Sequence, residues 1–316
     1  MIDDVVAELG LWDGSPVTCD PLPTMASPSW WGADSDRYVV RGESPDPVMG
    51  PSVVVRVLTP RARRYVDVSA SFAAARAAGE QGIGPKVHLE RPDLGVLVME
   101  DLSPVSRTAS LRDLGDPDLL AAVVDARVRV HNLAGITRRA SLFDDLRAVR
   151  ALVAEDNQAL PRDATWMLRV IDEVEALTAE DAPEDRPCHG DGNMSNVMID
   201  GDGRVRLVDW DSAGLMDPMR DLGSLLLELS PRDTRARDVF TAYWGSWDEV
   251  LFGRARLYGA IEGVYRGWIG VYNDQEAPGT HEYSKFADWQ FLRARSLIQE
   301  LRFDERLHPN LGRAVR

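Results

Sequence analysis

Residues 188–211 read Cys188-His-Gly-Asp-Gly-Asn-Met-Ser-Asn-Val-Met-Ile-Asp-Gly-Asp-Gly-Arg-Val-Arg-Leu-Val-Asp-Trp-Asp211. Two apolar runs, Val197-Met198-Ile199 and Val205 to Val208, flank Asp200-Gly201-Asp202-Gly203. Asp-Gly between apolar runs is a hairpin signal. The hairpin brings Asn196, entering its first strand, close to Asp209, leaving its second. An amide oxygen and a carboxylate held side by side suit Mg²⁺, a hard cation with oxygen ligands. Asp191, one loop away, is placed to receive a hydroxyl proton. That is the layout used in kinase-type phosphoryl transfer. The alternative is an ordinary loop and hairpin carrying solvated acids, but several independent spacings agree against it.

The order His-Gly-Asp, four residues, Asn, hairpin, Asp continues as Asp209-Trp-Asp-Ser-Ala-Gly-Leu-Met-Asp-Pro-Met-Arg-Asp-Leu-Gly223. Residues 189–223 thereby resemble the aminoglycoside phosphotransferase and choline kinase superfamily, relatives of the protein kinases. The resemblance implies a catalytic aspartate at Asp191 and metal ligands at Asn196 and Asp209. It also implies that Asp221, opening a helix, braces the loop around His189. Asp217 and Asp221 equally suit N-capping and the first helical turn, where the helix dipole favours acids. His189 reads as a buried, hydrogen-bonded loop residue rather than a general base.

A chain of 316 residues, 44% of them hydrophobic, can bury a large core and exceeds one simple small domain. The formal net charge of −15 disfavours nucleic-acid backbones and anionic membranes. It suits cationic small molecules, although solubility explains it equally well. Two cysteines, Cys19 and Cys188, make neither a disulfide framework nor a zinc cluster. The Met-Ile-Asp-Asp-Val-Val start lacks the order of a signal peptide, and no apolar run approaches a membrane span. A cytoplasmic protein, monomer or homodimer, is expected.

Strand-like segments lie around Val17, Tyr38–Val40 and Val53–Leu58, with Pro and Gly punctuating 42–51. A short amphipathic helix is expected over 3–11 and an Ala-rich helix over 66–79, closed by Gly82-Ile83-Gly84-Pro85. Val87–Leu89 and Val96–Met99 read as a strand pair. From about residue 110 the pattern is helical apart from the hairpin. Strands first and helices later predict an α+β, bilobal, protein-kinase-like fold. Its small antiparallel-sheet lobe, residues 1–102, would bind nucleotide. A hinge at about 99–104 leads to a larger, mostly helical lobe, 103–316, carrying catalysis and substrate binding.

Val96-Leu97-Val98-Met99-Glu100-Asp101-Leu102 resembles the superfamily's hinge, which implies that the Glu100 carbonyl and Leu102 N–H meet an adenine edge. No Gly-x-Gly-x-x-Gly occurs near the first strands. Ser27 and Ser29 offer hydroxyls toward phosphates in its place. Kinase-like folds carry a third-strand lysine for the α- and β-phosphates. Here Arg56 interrupts an apolar run at that place, and Lys86 and Lys285 are the only lysines in the chain. Arginine brings a bidentate fork for phosphate oxygens. The acidic partner expected on the following helix is missing, since Ser71 stands near its position. Either Asp67 substitutes, or phosphate and loop contacts alone position Arg56.

Tyr258, Glu262, Tyr265, Ile269 and Tyr272 share one helical face, with Trp268 alongside. Glu262, Tyr265 and Trp268 could hold an ammonium by charge and cation–π attraction, or the helix is simply core with one paired Glu. Gly259, Gly263 and Gly267 form a second stripe suited to close approach of a neighbouring helix. The combined reading is an ATP-dependent O-phosphotransferase acting with Mg²⁺ on a hydroxyl of a small, cationic molecule. GTP is not separated from ATP. An aminoglycoside or amino sugar, with antibiotic resistance as its consequence, stands first, and choline or another amino alcohol stands beside it. A non-catalytic nucleotide-binding pseudokinase is the rival of another class.

Overall fold

The computed structural model describes residues 2–22, 34–155, 157, 159–179, 182–229 and 235–303. Ser27 and Ser29 lie outside the described residues. Helix α1 (Ile2–Leu9) precedes strands β1 (Val17–Pro21), β2 (Ser35–Asp46) and β3 (Gly50–Leu58). Helix α2 (Val68–Glu80) then leads to β4 (Val87–Arg91) and β5 (Val96–Glu100). The five strands form one antiparallel sheet in the order β1-β2-β3-β5-β4. Period-two alternation sorts the two faces of β3. Val53 and Val55 pack with Val6, Trp12, Val96 and Val98 in a small core. Arg56 falls on the opposite face, with Val54 and Leu58. Ala-rich α2 is N-capped by Asp67, whose side chain accepts from Ala70 N at 3.1 Å. The Gly82–Pro85 turn after it docks onto the second lobe through Leu207 N–H donating to the Ile83 carbonyl at 2.7 Å.

The second lobe begins with β6 (Ser106–Thr108), α3 (Pro117–Val130), α4 (Leu142–Arg150) and α5 (Ala164–Thr178). Then come β7 (Arg186–Cys188), the hairpin β8 (Val197–Asp200) and β9 (Val205–Leu207), and β10 (Gly214–Met216). Helices α6 (Pro218–Glu228), α7 (Ala236–Trp244), α8 (Glu249–Glu276) and α9 (Tyr283–Phe303) complete it. The hairpin lies where its Asp-Gly turn predicted, with Val197 opposite Leu207. The three-residue strands β6, β7 and β10 went unseen in a region expected to be helical, because three residues carry no readable period.

α8, 28 residues long, is buried on nearly every side. Its glycine stripe serves two neighbours. A Cβ on Gly259 would meet the Gly223 carbonyl of α6 at 2.8 Å, and one on Gly267 would press on the Phe291 ring of α9 at 2.7 Å. No helix among the described residues is long and apolar enough to cross a membrane.

Candidate active site

Two short antiparallel strands frame the loop that carries Asp191, with Cys188 of β7 opposite Gly214 of β10. Two close approaches shape the loop. Gly190 adopts φ 78°, and a Cβ on Gly192 would collide with the Ser224 carbonyl of α6. His189 is fully buried. Its Nε2 lies 3.0 Å from the Val208 carbonyl, and its Nδ1 lies 3.1 Å from the Asp191 carbonyl oxygen and 3.4 Å from the Asp191 nitrogen. Burial and the Arg127 charge lower its pKa. A neutral ring fits, and His189 acts as a strut tying the loop to the end of the hairpin.

Asp221 sits beneath the same loop. Its Oδ1 accepts from Gly190 N–H at 2.7 Å and from Arg127 Nη1 at 2.8 Å, and the Tyr243 hydroxyl lies 3.1 Å from Oδ2. Arg127 Nη2 also reaches the Asp191 carbonyl. Sequence reasoning missed Arg127, although it stands seven residues after Leu120 in the buried stripe Leu120, Val123, Val124, Val130 of α3. A charge at a core position of an amphipathic helix was the available signal. N-capping belongs to Asp217, which accepts from Met219 N–H at 2.9 Å.

Asp191 is held from three directions. Oδ1 accepts from Asn193 N–H at 2.9 Å, and Oδ2 accepts from Asn196 Nδ2 at 3.1 Å. Arg266 of α8 pairs with Oδ2 at 2.9 Å. Burial pushes the carboxyl up, but Arg266 and the Asn193 amide outweigh it and hold Asp191 below the usual carboxylate range.

Across the cleft the hairpin presents a cluster of acids. Val208 N–H donates to the Asn196 carbonyl at 2.9 Å, which fixes the two strand ends side by side. Asp209 follows in the left-handed region at φ 64°, a conformation that turns its carboxylate out of the strand. Oxygens of Asp34, Asp209 and Asp211 lie within 4.8 Å of one another. Arg56, almost fully buried, stands among them. Its Nη1 and Nη2 grip Asp211 at 2.8 and 2.6 Å, Nε donates to Ser35 Oγ at 3.0 Å, and Nη2 is 3.2 Å from Asp209 Oδ1.

Ser71 Oγ donates to Asp211 Oδ1 at 2.6 Å. Of the two expectations for Arg56, the Asp67 one is corrected, because Asp67 is occupied in capping α2. Arg56 is instead held by a loop contact, Asp211, which supplies the acidic partner, with Ser71 of α2 completing the bridge. Burial, with Asp211 and Asp34 adding to it against Arg56, pushes Asp209 up to about 8. Burial also pushes Asp34 up, whereas Arg56 overcomes burial at Asp211 and holds it low.

Three carboxylates thus share one guanidinium, and the buried Asp209 Oδ1 has the 3.2 Å ion pair with Arg56 but no hydrogen bond. An all-oxygen cluster with more negative charge than one guanidinium offsets is a donor set that suits a hard divalent cation. Asn196, its Nδ2 committed to Asp191, has its oxygen to contribute.

On the sheet side of the cluster lies a cavity enclosing about 1410 Å³. Val54, Val87, Leu97, Met99 and Met198 make its apolar walls, Glu100 and Leu102 its rim, and Arg56 and Asp209 its polar end. The Glu100 carboxylate itself is engaged by Arg206 Nη1 at 3.1 Å.

On the other side of Asp191 a smaller cleft encloses about 340 Å³ between α6, α8 and α9. Glu262 enters it beside Arg266, whose Nε donates to Glu262 Oε1 at 2.7 Å. Tyr265 and Trp268 do not join Glu262 there, which corrects the expected ammonium site on a single helical face. Tyr265 lines a separate cavity with Arg138, Asp145 and Ser212. Trp268 lies under Arg150 of α4, 5.7 Å from ring centroid to guanidinium carbon, and Tyr258 packs on Phe143 of the same helix. Because α8 is buried all round, its aromatic stripe is mostly core, and the polar residues of the cleft come from three helices.

The phosphotransferase enzyme family model matches residues 26–259. Protein LicA of Haemophilus influenzae is 29% identical over 132 residues, which span 39% of this chain and 46% of that protein, so less than half of this curated relative is matched. A choline/ethanolamine kinase family protein from Mesorhizobium loti superposes with a TM-score of 0.75 at 22% identity, covering 98% of this chain and 99% of that one. The choline kinase LicA from Streptococcus pneumoniae superposes with a TM-score of 0.73 at 15% identity, covering 95% and 99%. The fold is the α+β, protein-kinase-like one expected from the hairpin and its flanks. With the matched region running from before β2 into α8, and so across the Asp191 loop, the hairpin and the acid cluster though not the cleft residues Glu262, Arg266, Gln290 and Arg293, the chain belongs to the phosphotransferase enzyme family.

Proposed function

We propose that this protein is an ATP-dependent O-phosphotransferase whose acceptor is a small amino alcohol. The observation carrying this reading is the position of Asp191. Asp191, held as a carboxylate, lines the small polar cleft and is bonded to Asn196, while Asp209 of the Asp34–Asp209–Asp211 cluster lines the polar end of the large apolar-walled cavity. In this reading ATP fills the larger cavity, its adenine between the apolar walls and the rim at Glu100 and Leu102. Arg56 orders the acid cluster through Asp211 and steadies the phosphates with the face that lines the cavity. Asn196 and Asp209, with Asp34 and Asp211 beside them, would hold Mg²⁺, which when bound neutralises charge on the phosphate oxygens.

The acceptor hydroxyl would lie against Asp191. Its oxygen forms a bond to the γ-phosphorus as the bond from that phosphorus to the β,γ-bridging oxygen breaks, and its proton passes to the Asp191 carboxylate. His189, Asp221 and Arg127 keep the loop in place and move no proton. The Asn196 amide and Arg266 orient the carboxylate, so positioning and charge carry the chemistry.

Cleft size supports the amino alcohol over an aminoglycoside. The free space between α6, α8 and α9 comes to about 340 Å³ only when the open solvent at its mouth is counted, against about 1410 Å³ counted the same way for the larger cavity, which favours a small acceptor. The names of the relatives, a choline kinase and a choline/ethanolamine kinase family protein, agree with it. The intact Asp191, Asn196 and Asp209 set supports catalysis over a pseudokinase. ATP as donor suits the cytoplasm. The test is Mg²⁺-dependent ADP release against a panel of amino alcohols and amino sugars. Release with an amino alcohol, abolished in Asp191→Ala, is expected. Release only with multi-ring aminoglycosides would overturn the acceptor, and no release with any hydroxyl would overturn the reading.

A further inference from the structure

The small cleft holds three acceptor oxygens that nothing satisfies. Glu228 Oε2, Glu262 Oε2 and Gln290 Oε1 are buried without a hydrogen-bond partner, and all three residues line the cleft beside Asp191. Glu262 and Gln290 are each 3% exposed, and the Glu228 side chain is 6% exposed. They come from three different helices, α6, α8 and α9, so no single local motif explains their convergence. The other oxygen of each carboxylate is already anchored. Glu228 Oε1 pairs with Arg293 at 3.1 Å, and Glu262 Oε1 pairs with Arg266 at 2.7 Å. Each anchored carboxylate therefore keeps one oxygen over. Unpartnered buried atoms occur elsewhere in the protein too, but here three acceptors converge on one cleft beside Asp191, and a water or a ligand must supply their donors.

Charge points the same way. The lining carries the carboxylates of Asp191, Glu228 and Glu262 against the guanidiniums of Arg266 and Arg293, one more negative charge than positive, and Arg220, which also acts on Glu262, is itself paired with Asp145 at 2.9 Å. Burial raises Glu228 and Glu262 against the pull of these arginines, and a bound cation would offset that burial. Aromatic surface is scarce. Phe286 is the one aromatic side chain lining the cleft among the described residues, while Tyr265 and Trp268 serve elsewhere. A quaternary ammonium offers no N–H and depends on aromatic faces. A primary or secondary ammonium offers N–H donors, which these oxygens lack.

We infer that Glu228, Glu262 and Gln290 form a donor-reading subsite that grips the acceptor's ammonium by its N–H bonds and discriminates against a fully alkylated one. The inference rests on the phosphotransferase reading for the acceptor's place, but its binding chemistry is tested separately. The intact protein is titrated with ethanolamine, its N-methyl and N,N-dimethyl derivatives, and choline. Calorimetry measures binding, and ADP release with Mg²⁺–ATP measures kcat/KM. Both should fall as methyl groups replace N–H bonds, by more than about tenfold across the series, because a site built to bond an N–H rejects the analogue lacking it. Glu228→Gln and Gln290→Leu should flatten the series while Mg²⁺–ATP still binds.

Choline equal to or better than ethanolamine in both measurements would overturn the subsite and leave the phosphotransferase reading standing. A ranked binding series with no ADP release from any member would sustain the subsite and overturn the amino alcohol as acceptor. Neither binding nor release from any member would overturn both. The wild-type series decides the question even where a variant does not fold.

Discussion

Asp191 lines the small cleft and Asp209 the large cavity, both are part-buried, and their carboxyls move in opposite directions. Asp191 is held below its ordinary range, whereas Asp209 is pushed up to about 8. Burial acts on both, so the difference lies in the neighbours. Asp191 has Arg266, an asparagine amide and a backbone N–H aimed at it. Asp209 shares one arginine with two other acids, and Asp211 takes the better part of it. A carboxylate stabilised by its own protein is a weaker base but stays ionised, and so is open to a proton at neutral pH. One left short of positive charge is ready for a cation brought by the ligand. In the proposed mechanism the two regions would divide the work of phosphoryl transfer by how many donors the fold allots to each.

Removing each acid tests that division. Asp191→Ala should lower kcat by about 10³–10⁴-fold, at the upper end of general-base contributions, with Mg²⁺–ATP affinity nearly unchanged. Steady-state kinetics together with nucleotide binding separates the two effects. Equal losses of kcat and of nucleotide affinity would merge the two regions into one. Asp209→Asn should lower kcat by about 10²–10³-fold, with weakened Mg²⁺–ATP binding and a raised Mg²⁺ requirement, since it removes stabilisation of developing charge rather than the proton acceptor. An unaltered Mg²⁺ dependence would remove Asp209 from the metal site.

The loop under Asp191 supplies a stability prediction. Arg127 and Asp221 are paired with side chains 0% and 1% exposed. Arg127→Met leaves a buried carboxylate unpaired and should cost about 3–5 kcal/mol in urea unfolding. A loss below about 1 kcal/mol, the size of an exposed ion pair, would mean that the loop does not depend on this strut.

The two regions also differ in how much of each was legible. Asp191, Asn196 and Asp209 lie within 19 residues, and their relation follows from a turn signal and two apolar runs, all local features. Arg266, Glu228, Gln290 and Arg293 reach the same cleft from helices whose rotation is decided by packing. Nothing in the pattern of α8 distinguishes Arg266, which meets Asp191, from Arg256, which pairs with Glu300. The aromatic stripe of α8 was visible and misleading, because a helix buried on every side presents its rings to several neighbours rather than to one ligand. The partner of Arg56 was sought on α2, where related folds carry an acid, whereas here a loop acid and Ser71 take that place. Asp211 was in plain view two residues after Asp209, but only the sheet's register shows that Arg56 faces it.

Arg266 offers the finest test of the contrast, with the smallest expected effect. It links the catalytic loop to the acceptor helices by pairing with Asp191 at 2.9 Å and Glu262 at 2.7 Å, and its Nη2 lies 3.4 Å from Ser212 Oγ beside the acid cluster. Its charge is a principal reason why Asp191 titrates low. If Asp191 acts as proposed, its active form is the carboxylate, and activity should fall as pH drops through its pKa. Arg266→Gln removes the positive charge, lets burial raise that pKa, and moves the acid limb of the kcat/KM profile to higher pH. At neutral pH the loss should be less than about tenfold, since Asn196 and the Asn193 amide still hold the carboxylate. Arg266→Lys keeps the charge and should restore most of the acid limb while losing the bidentate geometry. An acid limb unmoved in Arg266→Gln would show that hydrogen bonds alone keep Asp191 ionised, and the difference between the two acids would then rest on backbone donors rather than on guanidinium.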